Sequence, residues 1–142
     1  MTIDVIVCET CRQPATGPAT PATAPATAPA TDPGAGWTGA MFAALLEGVL
    51  ASAGLDDVRV GTMRCLMGCR RPCAVHIRSP GRMGYVLGDL TPERPAIEAL
   101  VGYLLAYRAT DSGVVAYRDW PDGVKGRFVA RIPAPDLQPL EK

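Results

Sequence analysis

Acidic residues are missing from the stretch Arg59 to Gly88, while Arg59, Arg64, Arg70, Arg71, Arg78 and Arg82 all fall inside it. A basic patch is therefore expected around whatever that stretch carries. The chain as a whole has no such bias. Lys+Arg and Asp+Glu each number 14, so the net charge is zero and gives no argument for nucleic acid or a membrane surface as partner. Histidine is nearly absent: His76 is the only one. It would have to serve as the base of any hydrolytic set, and no paired carboxylates or phosphate-cradling glycine loop stand out, so hydrolysis is disfavoured. No run approaches the roughly 18 to 20 apolar residues of a membrane span. The start, Met1 to Val7, holds Asp4, lacks a basic region and is too short in apolar length for a secretion signal. A cytoplasmic protein with reduced thiols is the expectation.

What is present is a chain of 142 residues, 48% of them apolar, enough for one domain with some unstructured length. Five cysteines at short spacings in a reducing compartment read as metal or redox chemistry before structural disulfides. Thr2 to Val7 is a β-branched run and predicts a strand that ends at Cys8. Gln13 to Gly36 is almost wholly Ala, Thr, Pro and Gly, has nothing large to bury, and predicts a disordered loop insert (13–36) with polyproline-II character.

Trp37 to Ala53 predicts a helix with Met41, Leu45, Leu46, Val49, Leu50 and Ala53 on its buried face, stopped by Gly54. Asp57 to Met63 predicts a second strand, and Arg64 to Pro72 a tight loop. Cys73 to Arg78 and Arg82 to Leu87 predict strands joined by the turn Ser79-Pro80-Gly81. Thr91 is expected to cap a helix over Pro92 to Ala109, with Ile97, Leu100, Val101, Leu104 and Leu105 inward. His76 would share the outward face of its strand with Arg78, a strand histidine rather than a ligand. The order β-α-β-β-β-α, with a helical crossover and then a hairpin, gives a mixed sheet and the topology of a thioredoxin-like single α/β domain over 1–109. Residues 110–142 follow as an irregular C-terminal extension, in which Val114 to Tyr117 and Phe128 to Ile132 either pair or wrap the domain.

The cysteines are spaced Cys8-x2-Cys11, then 53 residues, then Cys65-x3-Cys69-x3-Cys73. The first two strands are expected side by side, so their exits bring both groups to one edge. Converging thiolates suit zinc, copper(I) or iron–sulfur, not magnesium or calcium. The wider x3 spacing, with Gly68 inside it, lets a loop wrap a larger object and turn backbone N–H groups toward sulfur. Arg64, Arg70 and Arg71 fit a cationic rim: a four-thiolate 2Fe-2S cluster is anionic in both oxidation states, and nearby guanidinium groups raise its potential. The same arginines suit an acidic redox partner protein, or are a solvated rim. Met63, Met67 and Met83 read as packing rather than copper ligands, with Met67 placed to shield a cluster from water.

Val7-Cys8, the helix, Cys65-Leu66-Met67-Gly68-Cys69 and the strands around Tyr85 resemble thioredoxin-like 2Fe-2S ferredoxins. More closely, Val7 to Arg12, Cys65 to Cys73 and Gly84 to Leu90 resemble an uncharacterised bacterial family of predicted metal-binding proteins. The first resemblance implies a 2Fe-2S cofactor and possible homodimerisation. It also departs from the ferredoxins, whose first two cysteines are about ten residues apart and which lack a counterpart of Cys73. The ligand set is therefore drawn from Cys8, Cys11, Cys65, Cys69 and Cys73, with Cys11 favoured over Cys73 as the fourth; Cys73 otherwise reads as a small buried residue. An electron carrier or redox sensor rather than a catalyst is expected. A zinc-binding module and a thiol-disulfide oxidoreductase using Cys8 and Cys11 are the alternatives.

Overall fold

A computed structural model describes residues 2–13 and 37–136. The Ala/Pro/Thr-rich insert and the last residues of the expected tail lie outside the described residues, apart from Gln13 and 133–136. Strand β1 (Ile3–Cys8) leads to two short strands, β2 (Arg12–Gln13) and β3 (Trp37–Thr38), which pair antiparallel on either side of that insert. Helix α1 (Gly39–Ser52), β4 (Val58–Met63), β5 (Val75–Arg78), β6 (Gly84–Leu87), α2 (Arg94–Arg108) and β7 (Phe128–Ile132) follow.

The main sheet runs β4-β1-β5-β6-β7, with β1 and β4 parallel and the other neighbours antiparallel. It is the mixed sheet of the expected α/β domain. The added strand β7 comes from the C-terminal extension and pairs with β6, not with the segment from Val114 to Tyr117. That segment instead runs into a 3-10 turn at Tyr117–Asp119. The hairpin turn forms as expected, the Arg82 N–H donating to the Ser79 carbonyl at 3.1 Å. Its strands are shorter at their starts than the sequence suggested.

Alternation places Ile3, Val5 and Val7 of β1 inside, where they meet Phe42, Leu46 and Leu50 of α1 and Leu100 and Leu104 of α2 in one core. Burying each such side chain contributes about 1.5–3 kcal/mol. Phe42 is fully buried and was absent from the expected α1 face, whereas Leu45 is 45% exposed. On α2, Tyr103 and Tyr107 take the place expected of Leu105. The capping residue is Glu93, not Thr91, and makes no side-chain bond; Pro95 sits in the first turn, where its missing N–H costs nothing.

The start of α1 is docked on the cysteine turn that follows β1. Thr38 caps the helix through its hydroxyl, which accepts the Met41 N–H at 3.4 Å. Gly39 donates its N–H to the Cys11 carbonyl at 2.9 Å. A Cβ on Gly39 would run into the Cys8 carbonyl oxygen, so only glycine permits this approach.

Candidate metal centre

Parallel register sets Cys8 opposite Met63, so the two strands leave the sheet together. The Glu9 N–H donates to the Met63 carbonyl at 3.1 Å and holds the exits side by side. From here the chain turns tightly, the Cys11 N–H donating to the Cys8 carbonyl at 3.3 Å. The loop after Met63 then crosses over β1's end: the Leu66 N–H donates to Cys8 Sγ at 3.5 Å, and the Ala74 N–H to Cys11 Sγ at 3.4 Å. Gly68 has a different part. A Cβ there would stand 2.8 Å from the Cβ of Ala74, so glycine lets the loop lie flat on the following chain. The amides that reach sulfur belong to Leu66 and Ala74.

The cysteines form two layers. Cys8, Cys11 and Cys73 are buried, at 5% exposure or less, and Cys65 and Cys69 are exposed. Burial pushes the Cys8 thiol up, but bonds to its sulfur from the Thr10 hydroxyl, the Leu66 N–H and the Cys11 thiol outweigh it. The result is about 7, against an ordinary 9.0. Cys11 goes the other way, to about 11, chiefly from burial, with the Cys8 thiol raising it further against the lowering pull of the Ala74 N–H. Cys73 is raised further by burial and by Cys11 beside it. Its Sγ contacts the Cys8 and Ala74 carbonyls at 3.8 and 3.7 Å, the setting of a packed core cysteine. Cys69 is raised because the Cys65 thiol lies next to it. The thiols thus meet as Cys8 with Cys11, Cys11 with Cys73, and Cys65 with Cys69. Among the described residues, no three His, Cys, Asp or Glu side chains are grouped to hold a metal ion.

The outer loop is held in an uncommon backbone form. Cys65 and Met67 have φ of +61 and +62, the left-handed region that costs a non-glycine residue about 1–2 kcal/mol. Met67 is 86% exposed and Met63 53%, so neither packs as the sequence suggested; Met83 does, against the core.

The arginines are not the free cationic rim that the sequence suggested. Arg59 and Arg78 both reach Asp4, Arg64 Nε lies 3.2 Å from Glu9 Oε1, and Arg71 Nε lies 2.7 Å from Asp89 Oδ2. Arg82 is buried, its Nη1 donating to the Tyr107 and Arg108 carbonyls. Carboxylates from outside the acid-free stretch, Asp4, Glu9 and Asp89, thus fold onto it and offset part of its charge. Arg70 is exposed and is in no ion pair among the described residues. Arg71 also donates to the Gly126 carbonyl at 2.6 Å and the Phe128 carbonyl at 3.3 Å, so it ties the cysteine loop to the C-terminal extension. Sequence reasoning missed that strap and Thr10; it expected backbone N–H groups to turn toward sulfur, but not that Leu66 and Ala74 supply them. A backbone donor has no residue-type signal. His76 lies, as expected, on the half-exposed side of β5 opposite Val75 and Ile77, its pKa lowered by burial and by Arg78.

These features define a small α/β domain with a cysteine-bearing sheet edge. Residues 5–134 match the family described as a protein of unknown function (DUF1636), and the chain belongs to that family. Its description names neither a metal nor an activity, so the likeness to 2Fe-2S ferredoxins rests on the motifs alone. No curated protein and no solved structure matches the chain.

Proposed function

We propose that the domain is an electron carrier or redox sensor holding a 2Fe-2S cluster on Cys8, Cys11, Cys65 and Cys69. The observation that supports this most is the pairing of thiols. Two irons bridged by sulfide need two thiolates each, and Cys8 with Cys11 and Cys65 with Cys69 supply two such pairs from adjoining strand exits. A single tetrahedral zinc would instead need all four thiolates on one ion. Cys73 is left to the core.

When bound, such a cluster takes up and releases one electron. The chain's own residues set the conditions. The Leu66 and Ala74 amides donate to sulfur and stabilise negative charge there, which favours the reduced form. Burial of Cys8 and Cys11 keeps water from one side, while the exposed Cys65 and Cys69 leave the other within reach of a partner protein. Arg70, exposed and in no ion pair among the described residues, is available to steer an acidic partner. No helix among the described residues is long and apolar enough to cross a membrane.

One observation favours the thiol-disulfide reading as a second choice: Cys8 near 7 beside Cys11 near 11 is the split that an attacking and a resolving thiol need. Exposure of only 1% at Cys8 opposes it, since a protein disulfide has no approach to that sulfur.

Anaerobic purification with iron, zinc and sulfide analysis, followed by EPR before and after dithionite, tests the proposal. Roughly two iron and two sulfide per chain with a signal on reduction is the expected outcome. Stoichiometric zinc without sulfide would make this a zinc module. A metal-free dithiol that titrates reversibly would favour the oxidoreductase.

A further inference from the structure

Met67 is placed against its residue type. A methionine that merely fills space belongs inside, yet this one is 86% exposed on a left-handed backbone, one residue beyond Leu66, whose amide is pinned to Cys8. Its Sδ stands 3.8 Å from Cys65 Sγ. Two sulfurs each about 2.3 Å from one metal at a tetrahedral angle are themselves separated by about 3.8 Å. The Cys69 thiol lies near the Cys65 thiol in the same loop. Three sulfurs thus face solvent from one five-residue loop, and no histidine or carboxylate joins them in a group of three among the described residues.

We propose that this outer loop is a binding site for a soft monovalent cation, copper(I) by its chemistry, with Cys65 Sγ, Met67 Sδ and Cys69 Sγ as ligands. A thioether beside two thiolates selects copper(I) over harder divalent ions, for which a neutral sulfur is a poor donor. Binding exchanges the two thiol S–H bonds for S–Cu bonds and releases the two protons to water, with no change of oxidation state. All three ligand residues are exposed, so the ion can pass directly to or from another protein's thiols. The site goes beyond the cluster proposal and does not rest on it. Both use Cys65 and Cys69, so copper and cluster exclude one another.

The test titrates copper(I) into the full-length, metal-free protein without oxygen, against a chromogenic copper(I) chelator. One equivalent is expected to bind, Cys65→Ser to abolish that binding, and Met67→Leu to weaken it by at least about tenfold. Sulfur-only coordination is expected at the copper absorption edge. Reconstitution with iron and sulfide gives the second readout: Met67→Leu should leave iron and sulfide content unchanged, since Met67 is no cluster ligand. Unchanged copper affinity in Met67→Leu would overturn the proposal, as would copper retained by Cys65→Ser at Cys8 and Cys11. Failure of iron and sulfide to load in either protein would count against the cluster alone.

Discussion

The two ends of this domain are held by different forces. Around α2, β6 and β7, Tyr85, Tyr103, Tyr107, Trp120 and Phe128 pack edge to face, with Tyr103 centred 5.1 Å from Phe128 and 6.0 Å from Tyr85. At the exits of β1 and β4 there is no such cluster among the described residues, and sulfur, backbone amides and one flat-lying glycine do the holding. Rigidity is concentrated away from the reactive groups. The strained backbone at Cys65 and Met67 and the exposed sulfurs lie outside that aromatic packing. Arg71 joins the two, reaching from the loop to Gly126 and Phe128.

Substitution at the aromatic end should have the largest effect. Tyr103→Ala removes a fully buried ring that touches four others, and is expected to cost about 3–5 kcal/mol in urea unfolding of the metal-free protein. A loss below 1 kcal/mol would mean that the stability lies elsewhere. The same end should respond to alkali. Burial raises Tyr107 from 10.0 to about 12 and Tyr103 further still. Both are raised above their unfolded values, so their contribution is whole below pH 10 and lost as pH rises through the folded values. The unfolding midpoint should fall above pH 10, by up to about 1.4 kcal/mol per pH unit for each tyrosine. Tyr107→Phe should flatten that fall, and a slope unchanged by it would remove Tyr107 from the account.

The strap comes next. Arg71→Ala is expected to destabilise by about 1 kcal/mol, since it removes the bonds to the Gly126 and Phe128 carbonyls and the pair with Asp89. It should also speed metal loss, measured as chelator-driven release. Equal release rates would show that the loop stands without the extension. The smallest energetic effect should be at the outer layer, where Cys65→Ser is expected to change metal-free stability by less than about 0.5 kcal/mol. Alkylation of the native, metal-free chain should label Cys65 and Cys69 before Cys8, Cys11 or Cys73, read by peptide mass. Early labelling of Cys8 would collapse the two layers into one.

Much of the fold was legible because it is written locally. Val5 and Val7 alternate, Leu46 and Leu50 recur at helical spacing, and Ser79-Pro80-Gly81 marks its turn. Faces were misread where a residue of one apolar class could serve either side. Leu45 and Leu105 are exposed while Phe42 and Tyr103 are buried, because the packed stripe of each helix is turned slightly from the one the apolar spacing suggested. The candidate site was legible as two cysteine groups meeting, and the parallel pairing of β1 with β4 brings them together.

By itself, the sequence determined the order of the two helices and of the strands β1, β4, β5 and β6, the two cysteine groups and the soft-metal chemistry their side chains allow. Each of these follows from residue type and short spacing. Tertiary structure alone decided which cysteines are deep and which exposed, that Asp4, Glu9 and Asp89 pair with Arg59, Arg64, Arg71 and Arg78, and that the Leu66 amide meets Cys8 across 58 residues of chain. Those outcomes depend on which distant segments the core brings into register, and no local pattern encodes that.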